Sequence, residues 1–572
     1  MTSGFSKWKV ALPIAALLFG LVAAAPPSTR ADDPPATLPV DDARLLGAAT
    51  DDGSLMYRRS YDAQGFAPFD QINGSNVAQL GLAFTYATGF PQGHEAAPVV
   101  NGRTLYLTTP LDHVVALDAT DGHVLWTYAH KLPPKTLNSV CCDVVNRGVA
   151  IYGDDVYVAT LDNRVIALDA QTGAVVWDRT LAGSGIGYAM TSAPLVVHGL
   201  VIAGISGGEY GARGFITALD AKTGEDRWKI YTVPSAGEPG SETWPVAALA
   251  RGGGGPWLTG SYDPVLDTLY WGVGNPGPWR ADVRPGKNLY TDSVLALDPG
   301  TGHMKWYFQF TPNDEWDYDG VNENVLVDIT HRGRRIHALF HADRNGQFVV
   351  LDRSNGHFVY AEPLVKTTAV LGYDPHGVAN VNDDARLHGS ASTTVCPSSI
   401  GGKNWWPTAY DPALGLAFIP ISHMCMVSTA SKIDERVGSA YLGIDQRLIP
   451  EPGSAGFGEV LALDVASGAR VWSYPTLYPW NSGMLATRGG LVFSGGADQR
   501  FVAFDAASGR VVWSYKTASG IVGVPVSYRV EGKQYVAILA GWGGGVSIFG
   551  GPAADITQNV PRGGKLYVFA LP

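Results

Sequence analysis

The chain has 572 residues, among them 70 Gly, 16 Trp and 25 Tyr, and only 16% of its residues are charged. That profile suits many short strands and tight turns better than helices. The formal charge of −11 excludes the basic stripe that nucleic-acid partners need; it reads as solubility and is compatible with a basic protein partner.

At the N-terminus Lys7 and Lys9 precede an apolar run from Val10 to Ala25, then Pro26-Pro27 and a small-residue stretch ending Thr29-Arg30-Ala31. A positive start, an apolar centre and small residues before a polar segment make a secretory signal, spanning 1–31. The apolar run is too short for an anchor, since a spanning helix needs about 20 residues. No later stretch is apolar enough to cross a membrane, so residues 32–572 are expected to be an exported, soluble domain. Export permits disulfides, and the four cysteines fit two pairs. Cys141 and Cys142 are adjacent. They are either two unrelated thiols in a strand or a bonded pair closing a small strained ring, which ordinary disulfide geometry does not allow. Strain of that kind persists where the surrounding fold over-determines it, usually at a functional site. Cys396 and Cys425, 29 positions apart, would form the second pair.

One pattern recurs seven times: Asp, three residues, Gly, three residues, then Trp or Tyr. The copies are Asp118/Gly122/Trp126, Asp169/Gly173/Trp177, Asp220/Gly224/Trp228, Asp298/Gly302/Trp306, Asp352/Gly356/Tyr360, Asp464/Gly468/Trp472 and Asp505/Gly509/Trp513. The first two aromatic-to-aromatic steps are 51 residues, a period that signals a propeller or solenoid of strands. Asp and Gly suit the hairpin turn, and the aromatic can then pack flat between neighbouring four-stranded sheets. Closed radial stacking protects the sheet edges of an all-β chain. The 112-residue interval from Tyr360 to Trp472 leaves room for one degenerate unit, with Asn404–Pro420 reading like its strands. The 78-residue interval from Trp228 to Trp306 carries an insertion on one face. The predicted fold is an all-β, eight-bladed β-propeller with tryptophan-docking repeats, one blade being completed jointly by the N- and C-terminal strands.

Six motifs follow one another in CCDVVNRG (141–148), SGGEYG (206–211), WGVGNPGPW (271–279), TPNDEWDYDG (311–320), HADRNG (341–346) and GGKNWWP (401–407). In this order, with the repeats and the vicinal cysteines, the chain resembles the PQQ-dependent quinoprotein alcohol dehydrogenases from about Arg58 to its end. The resemblance implies an eight-bladed propeller with pyrroloquinoline quinone (PQQ) on the central axis. The Cys141–Cys142 ring would lie against one face of the quinone and Trp257 would stack on the other. Glu95, Arg147, Thr191, Ser206, Gly207 and Gly208 match positions that hold the cofactor's carboxylates and edge oxygens. Arg344 would bond the quinone oxygens, with Asn404 and Trp405 on the same rim. Where a Thr usually precedes the stacking Trp by two, this chain has Gly255, which implies one lost hydroxyl contact and a looser pocket.

The resemblance further implies metal ligation by Glu209, Asn275 and Asp317, a hard oxygen set suited to Ca²⁺ and not to zinc or copper. Asp319 is the informative extra. In an extended segment residues two apart point to one side, so Asp317 and Asp319 can reach the same ion. Members that use lanthanides are similar here, whereas calcium members have a small uncharged residue. Three carboxylates, with further charge from PQQ, favour a trivalent lanthanide over Ca²⁺. Asp317 would be the general base toward the alcohol hydroxyl, with hydride passing to the cofactor.

The Trp257–Asp263 segment looks more like ethanol-type than methanol-type members, and Trp279 would limit substrate size, so short primary alcohols are expected, ethanol ahead of methanol. With no Cys-x-x-Cys-His haem sequence in the chain, a separate periplasmic c-type cytochrome would take the electrons; a homodimer is usual among such relatives. Two readings compete. A non-catalytic periplasmic propeller scaffold would share only the repeat and lack the vicinal cysteines and the Asn-Pro and Trp-Asp motifs. A PQQ dehydrogenase for sugars or polyols often carries a membrane-spanning N-terminal region.

Overall fold

A computed structural model describes residues 37–433, 436 and 438–572. The expected signal at 1–31 lies outside the described residues. Among them the fold is all-β and propeller-like: seven sheets of four strands and one of five, a three-stranded sheet, a two-stranded hairpin and three short α-helices.

The repeat makes each sheet in the same way. In the first, Val99–Asn101, Thr104–Thr108, Val114–Asp118 and Val124–Tyr128 pair antiparallel in chain order. The turn before the last strand starts at Asp118, whose carboxylate accepts the Thr120 amide at 2.8 Å. Gly122, at φ +79°, closes the turn by donating to the Asp118 carbonyl at 2.9 Å. The same Asp-to-Gly closure recurs at Gly173, Gly224, Gly302, Gly356, Gly468 and Gly509, each in the left-handed region that favours glycine.

The aromatic of one repeat then packs on the glycine of the next. A Cβ on Gly173 would come within 2.5 Å of the Trp126 ring, one on Gly224 within 2.8 Å of Trp177, and one on Gly509 within 2.5 Å of Trp472. Gly302, Gly356 and Gly468 meet Trp228, Trp306 and Tyr360 alike. Indole N–H groups add a bond across the same gap: Trp126 to the Ala170 carbonyl (3.0 Å), Trp177 to Ala221 (2.9 Å) and Trp472 to Ala506 (2.9 Å). The seventh such contact uses Phe84, which lies against Gly122. Phe84 belongs to Gly81–Ala87, which pairs antiparallel with the C-terminal strand Lys565–Ala570, so the two ends of the chain share a sheet as expected. Trp513 reaches that sheet through its bond to the Leu80 carbonyl.

Among the described residues the separate degenerate unit expected between Tyr360 and Trp472 is not there. Ala409–Asp411 and Leu416–Ser422 are the first two strands of the sheet that ends with Trp472. The long interval is filled instead by the hairpin Val370–Tyr373/Ala379–Val381 and by a three-stranded sheet of Thr393–Val395, Met424–Ala430 and Ile444–Pro450. The eighth position is supplied by the chain ends, where neither the Asp nor the Trp of the repeat is present.

If the indole–glycine contact holds neighbouring sheets together, Trp126→Ala should lower stability by about 3–5 kcal/mol, the range for emptying a large buried aromatic site. Trp126→Phe, which keeps a ring but loses the Ala170 bond, should cost less. Chemical-denaturation midpoints of the two variants and the parent check the order.

Candidate active site

A cavity of about 580 Å³ is walled by residues from nearly the whole chain, Glu95 to Phe549. Most residues expected to hold a cofactor line it: Glu95, Cys141, Cys142, Arg147, Thr191, Ser206, Trp257, Arg344, Asn404 and Trp405, together with Glu209, Asp317, Asp319 and Trp279. Gly207, Gly208 and Asn275 are not among its lining residues. Gly207, at φ +112°, is where the chain crosses the Gly187 carbonyl too closely for a side chain, so its role is backbone packing. At Gly255 a Cβ would lie 3.0 Å from the Ile205 carbonyl and 3.4 Å from the Ser206 Cα.

Both cysteine pairs are bonded, Cys141 to Cys142 and Cys396 to Cys425. The vicinal pair turns the backbone left-handed at two successive non-glycine residues, Cys142 (φ +70°) and Asp143 (φ +83°). Asp143 holds that conformation, its carboxylate accepting amides from Val144 (2.9 Å), Gly93 (2.8 Å) and Gly544 (3.2 Å).

Two arginines organise the polar surface. Arg147 pairs with Glu95 at 2.7 Å, donates to Thr191 Oγ1 at 2.7 Å and stacks over Trp405 and Trp257, 4.5 and 5.1 Å from their ring centres. Burial pushes the Glu95 carboxyl up to about 7, Arg147 pulling against it. Arg344 spans Asp317 Oδ2 at 3.0 Å and Asp319 Oδ2 at 2.9 Å. Both carboxylates of the Trp-Asp-Tyr-Asp segment therefore face one way. Asp319 also accepts the Asn275 amide (2.8 Å) and the Trp257 indole N–H (3.2 Å). Gly274 makes room, since a Cβ there would strike Asp319 Oδ1. Asp317 lies at φ +64°, in the left-handed region that few residues other than glycine, asparagine and aspartate adopt. Burial drives its carboxyl well above the usual range; Arg344 draws it down, while Asp319 and Glu209 push it up. Burial and then the Asp319 charge lift Glu209 to about 7. One end of the cavity thus gathers three carboxylates around a single guanidinium.

Sequence reasoning missed part of the wall. Asn481, Val522 and the segment 543–549 belong to it, as do Ala440, Leu442, Ile444 and Leu448 from the three-stranded insertion. The run Gly543-Gly544-Gly545 was the available signal: a Cβ on Gly544 would come within 2.6 Å of Glu95 Oε1. Asn404, expected at the cofactor rim, binds its own loop through Ile400 O (2.6 Å) and the Trp405 amide (2.8 Å).

Residues 55–370 and 475–536 match the family described as PQQ: glucose/ethanol/alcohol dehydrogenase, beta-propeller domain. Quinoprotein alcohol dehydrogenase PedH of Pseudomonas putida is 39% identical over 535 residues, 89% of each chain. A lanthanide-dependent methanol dehydrogenase of Methylacidiphilum fumariolicum is 36% identical over 564 residues, 90% of this chain and 92% of that one. Among solved structures, a europium-containing methanol dehydrogenase superposes with a TM-score of 0.89 at 35% identity, covering 92% of this chain and all of the other. The chain belongs to the PQQ-dependent quinoprotein alcohol dehydrogenase family, and is an oxidoreductase of that type that works with PQQ and a metal ion.

The cavity fits such a load. Three buried donors that line it, Arg147 Nε, Arg344 Nε and Trp279 Nε1, and the acceptor Asn481 Oδ1 have no protein partner. Donors of that kind suit an oxygen-rich planar anion, and the carboxylate end suits a hard cation. No helix among the described residues is long and apolar enough to cross a membrane.

The insertion that closes the cavity is clamped by His423, between Leu416–Ser422 and Met424–Ala430. Its ring nitrogens meet Glu451 at 3.0 Å and Glu459 at 2.7 Å, and Arg470 stands 3.8 Å from Glu459. Burial alone would lower the imidazole, but the two carboxylates raise it from 6.5 to about 9. A folded value above the unfolded one stabilises fully below about pH 6.5 and is lost as pH rises through about 9. The gap in melting temperature between parent and His423→Gln should therefore be largest near pH 6, worth up to about 3 kcal/mol, and should close above pH 9.

Proposed function

We propose that the protein oxidises short primary alcohols to aldehydes, ethanol ahead of methanol, with PQQ held between the Cys141–Cys142 ring and Trp257. One observation carries this reading: Asp317 and Asp319 meet at the same guanidinium in a cavity also lined by Glu209, the vicinal disulfide and Trp257. Arg147 and Glu95 anchor the anionic edge of the cofactor, with Thr191, Ser206 and the backbone at Gly207 and Gly208 beside them. Arg344 bonds the quinone oxygens, with Asn404 and Trp405 on the same rim. Glu209, Asn275, Asp317 and Asp319 are the metal ligands. A lanthanide(III) ion is favoured over Ca²⁺, because three carboxylates against one arginine leave two negative charges and the anionic cofactor adds more than a divalent ion then neutralises. The similarity to a lanthanide-dependent methanol dehydrogenase supports the same choice.

When bound, the quinone supplies the two-electron sink and the ion a Lewis acid. The chain supplies the rest. Asp317 takes the alcohol's hydroxyl proton, its carboxylate held by Arg344 beside the pocket. Trp279 forms the wall that limits the alcohol's size, and the insertion keeps bulk water from the reacting atoms. The eight principal sheets are read as eight blades and the indole–glycine contacts as tryptophan docking. Residues 1–31 direct export, 32–572 work as one periplasmic domain, and a c-type cytochrome takes the electrons.

Asp317→Asn should leave the fold intact and reduce turnover at least 10²-fold, the lower bound for losing a general base; appreciable residual turnover refutes the assignment. Reconstitution with PQQ and La³⁺ should give the active enzyme and Ca²⁺ alone should not, a difference that Asp319→Ala should remove. Full activity with calcium alone in the parent contradicts the lanthanide reading.

A further inference from the structure

Arg284 is wholly buried, yet it lines no part of the cavity. Its guanidinium makes four hydrogen bonds, none to a carboxylate: Nε to the Pro278 carbonyl at 2.6 Å, Nη1 to Asn288 Oδ1 at 2.7 Å, and Nη2 to the carbonyls of Trp279 (3.1 Å) and Asp314. Burial draws it down to about 10, so it stays charged at neutral pH. Burying a guanidinium is costly, and a methionine of similar length would fill the same space with none of that cost. What the arginine adds is geometry: a rigid fork that joins two segments, each of which carries residues lining the pocket.

The first segment carries Trp279, whose indole lines the cavity. The second begins at Asp314, also buried. The Asp314 carboxylate accepts two amides, Trp316 N at 2.9 Å on one oxygen and Tyr318 N at 3.0 Å on the other. By holding the amides of 316 and 318 on its side, it leaves Asp317 and Asp319 facing the other way, where they meet Arg344. The same grip holds the left-handed backbone at Asp317, a conformation uncommon for a residue with a side chain. Asn313 completes the junction, its Nδ2 donating to the Arg284 carbonyl at 3.0 Å and to Asn288 Oδ1 at 2.9 Å.

We infer that Arg284 and Asp314 are positioning residues that join the substrate-limiting wall at Trp279 to the base and metal-ligand segment 316–319 as one rigid body. Neither residue touches the reacting atoms. Arg284 sets the distance between wall and base, and Asp314 sets the direction in which Asp317 and Asp319 point. Alcohol-size discrimination and turnover are thereby coupled through one buried side chain. The inference rests on the assignment of Asp317, Asp319 and Trp279 proposed above.

The two residues separate by experiment. Arg284→Lys keeps the charge but cannot serve four acceptors; Arg284→Met removes the charge; Asp314→Asn can accept only one of the two amides. Each is measured for melting temperature, for kcat and KM with ethanol and 1-butanol after loading with PQQ and La³⁺, and for binding of Tb³⁺ alone to the ion-free protein, followed by indole-sensitised luminescence. Misplacing the base should lower kcat about 10–100-fold in Arg284→Lys and Asp314→Asn. Tb³⁺ affinity should fall about tenfold or more, as when an outer-shell partner of a metal site is lost. The ratio of kcat/KM for ethanol over 1-butanol should narrow in Arg284→Lys and stay unchanged in Asp314→Asn, which does not touch Trp279. A lowered melting temperature with kcat, alcohol ratio and Tb³⁺ affinity all within twofold of the parent would overturn the inference. So would an unfolded Arg284→Met beside Arg284→Lys and Asp314→Asn that match the parent in those three readouts. A parent that neither bound Tb³⁺ nor oxidised alcohol would overturn the underlying assignment, and this inference with it.

Discussion

An aromatic ring laid on the glycine of the following repeat is the contact from which the rest of the structure follows. Glycine is required there twice over: the turn needs a positive φ, and a Cβ would occupy the space of the ring. Each contact joins one sheet to the next, and Phe84 on Gly122 joins the last to the first. A ring closed in this way brings residues distant in sequence to one central cavity. Glu95 and Gly544, nearly 450 positions apart in a 572-residue chain, end within van der Waals reach.

Within that ring the site is built on an imbalance of charge. Asp317 and Glu209 lie with Asp319 and Arg344 where burial penalises their ionised forms, so both depend on the cation beside them. A hard ion of high charge relieves the imbalance more fully than a proton or an arginine can. Left-handed backbone at non-glycine residues recurs through the molecule, and at the site, on Cys142, Asp143 and Asp317, it is held by carboxylates that collect neighbouring amides. Strain kept up by dedicated hydrogen bonds is what pre-organises a site before its load arrives.

Much of this was readable from the residues alone. The Asp–Gly–aromatic repeat announced the sheets because turn chemistry is local, and the vicinal cysteines and Trp316-Asp317-Tyr318-Asp319 marked the site because they stand in a series of motifs that resembles the quinoprotein alcohol dehydrogenases. What stayed hidden depends on contacts distant in sequence. The eighth sheet carries Phe84 in place of Trp and splits between the two ends of the chain, so no local pattern marks it. The Tyr360–Trp472 interval has room for another unit, but its strands pair across an insertion, which sequence spacing cannot show. Arg284 and Asp314 look like ordinary loop residues until the fold buries them and shows which carbonyls and amides they collect.

The central claim is that a planar quinone lies between the Cys141–Cys142 ring and Trp257 with a trivalent ion held by Glu209, Asn275, Asp317 and Asp319. The most direct measurement is a crystal structure of the protein loaded with PQQ and La³⁺, with the ion located by its anomalous scattering. The expected result is a single strong peak coordinated by those four side chains at the edge of the stacked quinone. A peak at another carboxylate cluster such as Asp118 and Asp121, or an ion that Asp319 does not touch, would contradict it.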